Sequence, residues 1–144
     1  MVLPSAFENA VLIDSSAVIA LHDSGERFHA EAVALFSAAA DFVWFALDVT
    51  SHETFTIARS RHSFPAAWER YRFLRGDYDI HLARFTDADE QEAERILQRY
   101  SDHSLSFHDA LCAASMKRMG IAKVFTFDRD FLVMGFEVLP GTLS

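Results

Sequence analysis

One cysteine, three prolines and five glycines are all that the 144 residues hold of the types that most constrain a backbone. Cys112 alone makes no intramolecular disulfide and no multi-thiolate zinc site, which points to a reducing compartment, by default the cytoplasm. No proline- or glycine-rich stretch marks a linker, and neither an internal repeat nor a low-complexity segment is found. Basic charge is scarce as well: thirteen Lys and Arg stand against twenty-one Asp and Glu, a formal charge of −8. A globally basic surface for gripping nucleic acid is therefore excluded, and any such contact has to be local or bridged by metal. No charge-free apolar run approaches the roughly 20 residues that span a bilayer. Met1-Val2-Leu3-Pro4 carries no basic n-region, so neither secretion nor membrane insertion is expected. With 51% hydrophobic and 24% charged residues, the chain fits one globular domain over residues 1–144.

What is present is a series of short apolar runs alternating with amphipathic segments. Ala10 to Ile13 reads as a buried strand closed by Asp14, Ser15 and Ser16, where a helix can begin. Glu26 to Ala40 is alanine-rich with Phe28, Ala32, Leu35, Phe36 and Ala39 at helical steps. Phe42 to Leu47 supplies a second strand. Thr50 or Ser51 is the expected cap of a helix to about Arg59, and Ser63 with Pro65 opens another running to about Arg75, before Gly76. Ile80 to Phe85 is a third strand, and Thr86-Asp87-Ala88-Asp89 resembles a capping box ahead of a helix to about Tyr100. Ser106 caps a helix from Phe107 to Met119, ended by Lys117, Arg118 and Gly120. Val124 to Phe127 and Phe136 to Leu139 are two closing strands. Such alternation implies an α/β fold with a central parallel sheet covered on both faces.

In an open parallel sheet, ligands bind outside the carboxyl ends of the strands. Those positions are acidic here: Asp14 follows the first strand, Glu53 begins the helix after the second, and Asp128 follows the fourth. Asp109 belongs with them, because its helix leads through a short turn into the fourth strand and so starts at the same edge. Each Asp or Glu taken singly reads as an ordinary helix or turn cap. Four together repel one another unless some hold protons or a divalent cation joins them. Oxygen-only donors favour Mg²⁺ or Mn²⁺ over zinc. Such an ion polarises a phosphoryl oxygen and activates water, which makes phosphodiester hydrolysis the natural chemistry.

At these residues the chain resembles the PIN-domain nucleases, and within them the VapC-type toxins of toxin–antitoxin pairs. The resemblance rests on Val11-Leu12-Ile13-Asp14-Ser15-Ser16, Thr50-Ser51-His52-Glu53, Ser104-Leu105-Ser106-Phe107-His108-Asp109-Ala110 and Val124-Phe125-Thr126-Phe127-Asp128-Arg129-Asp130-Phe131. It implies a three-layer α/β/α domain and a metal-dependent endoribonuclease, usually a homodimer, often inhibited by a small antitoxin. Asp14, Glu53, Asp109 and Asp128 then match the family's four acids, holding Mg²⁺ or Mn²⁺. Ser16 and Thr126 match hydroxyl positions that orient those acids. Asp130 is read as the cap of the following turn, with an orienting role beside the metal as the other reading. His52 and His108 depart from the usual neighbours of the second and third acids. A packing or surface role is the commoner one for such a histidine, against a proton relay or substrate contact. His22 and His29 are read as structural.

Between Arg59 and Arg75 the chain carries Arg59, Arg61, Arg70, Arg72 and Arg75 against only Glu69, the best candidate surface for RNA. Phe64, Trp68 and Tyr71 would stack on unpaired bases if exposed; at helical spacing they equally suit a buried or dimer-contacting face. The acids from Asp87 to Glu94 read as a solvated helix start. Fourteen phenylalanines read mainly as core, with some in an antitoxin groove or dimer interface. Walker, Rossmann and zinc-finger patterns are absent. An aspartyl-nucleophile phosphatase would want a second Asp where Ser16 stands, and a receiver-like domain would want adjacent acids near Asn9 and a late lysine near Thr126. The remaining alternative is a catalytically inert PIN-like module acting through a protein or RNA partner.

Overall fold

A computed structural model describes residues 8–142; the Met1 to Pro4 segment read above lies outside them. In chain order the elements are β1 (Ala10–Ile13), α1 (Ser15–His22), α2 (His29–Ala38), β2 (Val43–Leu47), α3 (Asp48–Arg61), α4 (Phe64–Arg72), a π-type turn (Phe73–Asp77), β3 (Ile80–Ala83), α5 (Asp87–Arg99), α6 (Phe107–Met119), β4 (Lys123–Phe125), α7 (Asp130–Val133) and β5 (Glu137–Leu139). All four strand pairings are parallel, in the order β3-β2-β1-β4-β5.

Alternation along the strands sends side chains to two separate cores. Ala10 and Leu12 of β1 face one side with Ile96 of α5, Leu111 and Met116 of α6, and Phe131 of α7. Val11 and Ile13 face the other with Val18 of α1, Ala32 of α2, Trp44 of β2, and Phe73 and Leu74. The result is the expected three-layer α/β/α arrangement. No described helix is long and apolar enough to cross a membrane.

Helix ends explain most boundaries. Ser63 accepts a hydrogen bond from the Ala66 N–H, with Pro65 in the first turn of α4. Thr86 and Asp89 form the reciprocal capping box of α5, and Ser106 caps α6, which ends at Gly120 in the left-handed region at φ 73°. The start of α3 corrects the expected cap at Thr50 or Ser51. The helix begins at Asp48, directly out of β2, and Leu47 at its N-cap makes no side-chain bond. Thr50 and Ser51 are buried within its first turn, the Ser51 hydroxyl donating to the Asp48 carbonyl at 2.6 Å. The helix expected over 26–40 is confined to α2, and α4 stops at Arg72, where the chain widens into the π-type turn and Gly76 takes φ 127°. The strand expected to run to Phe127 ends at Phe125; the Thr126 N–H still donates to the Leu139 carbonyl, but its hydroxyl already belongs to the loop beyond.

Candidate active site

The strand order reverses direction between β1 and β4, and a parallel sheet opens a crevice at that point. Asp14 leaves β1 there, its N–H tied to the Phe125 carbonyl of β4 at 3.0 Å. A cavity of about 250 Å³ at this edge is lined by Asp14, Glu53, Asp109, Asp128 and Asp130, with Ser15, Ser16, Ile19, Ile57, Ser104 and Ser106. All four acids singled out in the sequence therefore share one pocket. Asp14 and Asp109 are buried, whereas Glu53, Asp128 and Asp130 are partly exposed.

Hydroxyl groups fix the acids. Asp14 Oδ2 accepts from Ser16 Oγ and from Thr126 Oγ1, each at 2.8 Å. Ser16 Oγ in turn accepts from the Phe127 N–H, and Thr126 Oγ1 from the Asp128 N–H, both at 3.0 Å. One pair of hydroxyls thus couples the end of β1 to the loop after β4. Glu53 Oε2 accepts from Ser15 Oγ at 2.5 Å. Asp130 does not cap the turn that follows; its own N–H is capped by Asp128 Oδ1 at 2.9 Å. Its carboxylate faces the cluster, and donor atoms of Asp109, Asp128 and Asp130 lie within 4.8 Å of one another.

His108 sits inside the cluster. Its Nδ1 is 3.0 Å from Asp109 Oδ1, 3.2 Å from Glu53 Oε2 and 3.8 Å from Asp14 Oδ1. On the other side Nε2 shares a 2.8 Å hydrogen bond with Thr50 Oγ1 and lies 3.7 Å from Cys112 Sγ. Burial opposes a charge on this imidazole, but Cys112, the Asp109 hydrogen bond and Asp14 outweigh it and push its pKa up. Burial also raises the Cys112 pKa and keeps it a thiol, so the carboxylates are the lasting support for a protonated ring. Burial pushes the Asp109 carboxyl up to about 7, with Asp14 and Asp128 adding to the shift and His108 opposing it.

These donors fit a divalent cation. Asp14 Oδ1 is buried without a hydrogen-bond partner, and carboxylate oxygens of Asp109, Asp128 and Asp130 lie within 4.8 Å of one another, with Asp109 also grouped with Asp14 and His108. A lone oxygen among crowded carboxylates is satisfied by a cation and by little else. Asp109 is common to both three-residue groups.

The PIN domain profile matches residues 11–137, which span β1 to β5 and every acid of the pocket. The chain belongs to the PIN-domain family. Among PIN-domain relatives, it is 30% identical over 131 residues to the 23S rRNA-specific endonuclease VapC20 of Mycobacterium tuberculosis, covering 90% of this chain and 98% of the relative. The crystal structure of that VapC20, described as a Sarcin-Ricin loop cleaving toxin, superposes with a TM-score of 0.81 at 27% identity over 88% of this chain and 95% of the other. Two further solved structures share the fold at lower identity. A toxin–antitoxin complex from Klebsiella pneumoniae gives a TM-score of 0.62 at 19% identity, over 93% and 96% of the two chains. Rickettsia felis VapBC2 bound to promoter DNA gives 0.67 at 8%, over 90% and 96%.

Within this PIN domain, sequence reasoning underrated three residues: His108, Thr50, which holds its ring, and Ser15, which holds Glu53. The available signal was local. His108 and Cys112 are four apart on α6, so both face one way, and His108 precedes the acid in the helix's first turn. His52 is exposed and lies 3.3 Å from the Arg75 guanidinium.

The arginines divide. Arg59, Arg61 and Arg72 are exposed, and Arg75 is half-buried, donating to Ser51 Oγ at 3.0 Å. Arg70 corrects the expected RNA-contacting set. It is buried at 6% exposure and donates to the His22 carbonyl at the end of α1, so it is a packing residue. Phe64 and Trp68 are about half exposed, their rings stacked at 6.0 Å, with Trp68 and Tyr71 stacked at 5.4 Å.

Proposed function

We propose that this PIN-domain chain is a metal-dependent endoribonuclease and the toxin of a toxin–antitoxin pair, working as a single-domain homodimer in the cytoplasm. The convergence of Asp14, Glu53, Asp109 and Asp128 in one pocket at the sheet's switch point carries the reading. Those four acids would hold Mg²⁺ or Mn²⁺, which when bound polarises the scissile phosphate and activates water for an in-line displacement.

The protein's own groups prepare that centre. Ser16 and Thr126 keep Asp14 in one orientation, and Ser15 does the same for Glu53. His108 Nδ1 lies between Asp109 and Glu53, where a proton on the ring would offset part of the carboxylates' mutual repulsion. Arg59, Arg61, Arg72 and Arg75 lie on the basic segment suited to the RNA backbone. The likeness to the rRNA-specific VapC20 over nearly the whole chain supports a ribosomal RNA loop as substrate, and the fold shared with toxin–antitoxin assemblies supports an antitoxin as partner.

The test is cleavage of labelled RNA, both a single strand and a ribosomal stem-loop, with Mg²⁺, with Mn²⁺ and with chelator. Metal-dependent cleavage is expected, and Asp14→Asn and Asp109→Asn should each lower it by about a thousandfold or more while circular dichroism stays native. Near-normal rates in both variants would overturn the site.

A further inference from the structure

Beside the acid pocket lies a larger cavity of about 420 Å³, lined by Ser16, Ile19, Ala20, Glu26, Arg27, Phe28, Arg61, Phe127 and Asp128. Ser16, Ile19 and Asp128 are walls of both, so the two are continuous. Helical spacing makes the connection: Glu53 and Ile57 of α3 line the acid pocket, and Arg61, one further turn along that face, lines the neighbour.

Two cations stand at this cavity, and neither is firmly committed elsewhere. Arg61 faces Glu26 at 3.6 Å, with the two side chains 59% and 36% exposed. An exposed pair of this kind is weak, so a phosphate can take Glu26's place at little cost. Arg27 lies over the Phe28 ring, 5.0 Å from its centroid, and Phe28 is itself stacked on the buried Phe127 at 5.0 Å. Phe28 thus carries a ring contact and a cation contact at once, and the cation contact favours a position of the exposed Arg27 guanidinium beside the cavity. A guanidinium there offers N–H donors to a phosphate and its free face to a base. No Lys or Arg is among the described residues that line the acid pocket itself. A polyanion crossing the acids therefore gains cationic contacts on the Arg27 and Arg61 side.

Resting on the ribonuclease reading above, we propose that this cavity is a nucleotide subsite, binding the phosphate and base of the RNA residue next to the scissile bond through Arg27 and Arg61. A cavity of this volume lies within the usual range for ligand sites. The subsite gives the acidic enzyme a local grip that its net charge denies it globally.

The test compares wild type with Arg27→Ala/Arg61→Ala and, as a second pair retaining the side-chain stems, Arg27→Gln/Arg61→Gln. Thermal melting verifies that each is folded. Cleavage kinetics are measured on a labelled RNA, and binding of a fluorescent single-stranded RNA 12-mer is measured by anisotropy in the non-cleaving Asp14→Asn background. Both double variants should raise KM about tenfold with kcat within about twofold, and should weaken binding. The slope of log affinity against log salt should fall by about 0.7, the loss of one single-strand phosphate contact. Arg95→Ala, on the exposed face of α5, should change neither quantity.

Unchanged affinity and salt slope in both double variants would overturn the subsite, as would an equal loss in the Arg95→Ala control. Failure of the wild type to cleave any RNA with metal would sink the ribonuclease reading instead, while the anisotropy data still judge the cavity. Failure of even the parent protein to bind RNA at low salt would overturn the subsite on its own.

Discussion

Replacing the buried hydroxyl of Thr126 with a methyl group would strip Asp14 Oδ2 of one of its two hydrogen bonds and leave the Asp128 N–H without its acceptor. The shape is kept and only the orientation of two acids is relaxed. Thr126→Val should therefore weaken Mn²⁺ binding by about 10- to 100-fold, measured by calorimetry, and lower the melting temperature by a few degrees without unfolding the domain. Unaltered affinity would show that the strand ends alone position the acids. The edge at which the acids gather was legible because they were read as following strands or lying near helix starts, where local pattern fixes direction; the two hydroxyls came from the family resemblance alone. His108 was not legible, because its role depends on which surface covers the start of α6. That surface is α3, more than fifty residues earlier, and Thr50 there looks like a cap when only its neighbours are known.

Among the helices, α5 and α6 show how local signals and tertiary packing combine. Asp89 closes the capping box of α5 by accepting from the Thr86 N–H at 2.9 Å, and also accepts from Arg118 Nε at 2.9 Å and from Ser115 Oγ at 3.2 Å across on α6. Burial would raise its pKa, but the Arg118 and Thr86 hydrogen bonds, with Ser115, outweigh that and lower it. A carboxylate held below its ordinary value near 4 stabilises the fold above that pH and loses the contribution as pH falls through its own lower pKa. Asp89→Ala should cost about 2 to 3 kcal/mol in urea unfolding at pH 7, the sum of a cap and a buried charge-assisted bond. The difference from wild type should narrow below about pH 4; a constant difference down to pH 3 would remove the charge from the explanation. The capping box itself was legible, since Thr86 and Asp89 are three apart, but its partner Arg118 is not a sequence neighbour. The misplaced start of α3 has a related cause. Hydroxyl residues usually mark a cap, yet here β2 passes into the helix without a loop, and Thr50 and Ser51 are inside it.

For the molecule as a whole, alternation of strands and helices announced a parallel sheet, while the order β3-β2-β1-β4-β5 is a matter of which strands pair, and no run of residues states that. The order matters because it sets the switch point between β1 and β4, the one place where Asp14 and Asp128 become neighbours. An excess of acid gathered there destabilises the empty fold, and a bound cation should reverse the effect. Asp109 carries the pH dependence. With its pKa pushed up to about 7, it contributes most to stability below the ordinary carboxylate range and loses that contribution as pH rises through about 7. Protons and metal therefore compete for the same carboxylates. At a hundredfold excess over Kd, a ligand specific to the folded state adds about 2.7 kcal/mol, several degrees of melting temperature in a domain of this size. Mn²⁺ should accordingly raise the melting temperature of the wild type more at pH 8 than at pH 6, and raise that of Asp14→Asn much less at either. Equal gains at both pH values would mean that Asp109 is already ionised without the ion, and equal gains in Asp14→Asn would place the bound cation outside the pocket.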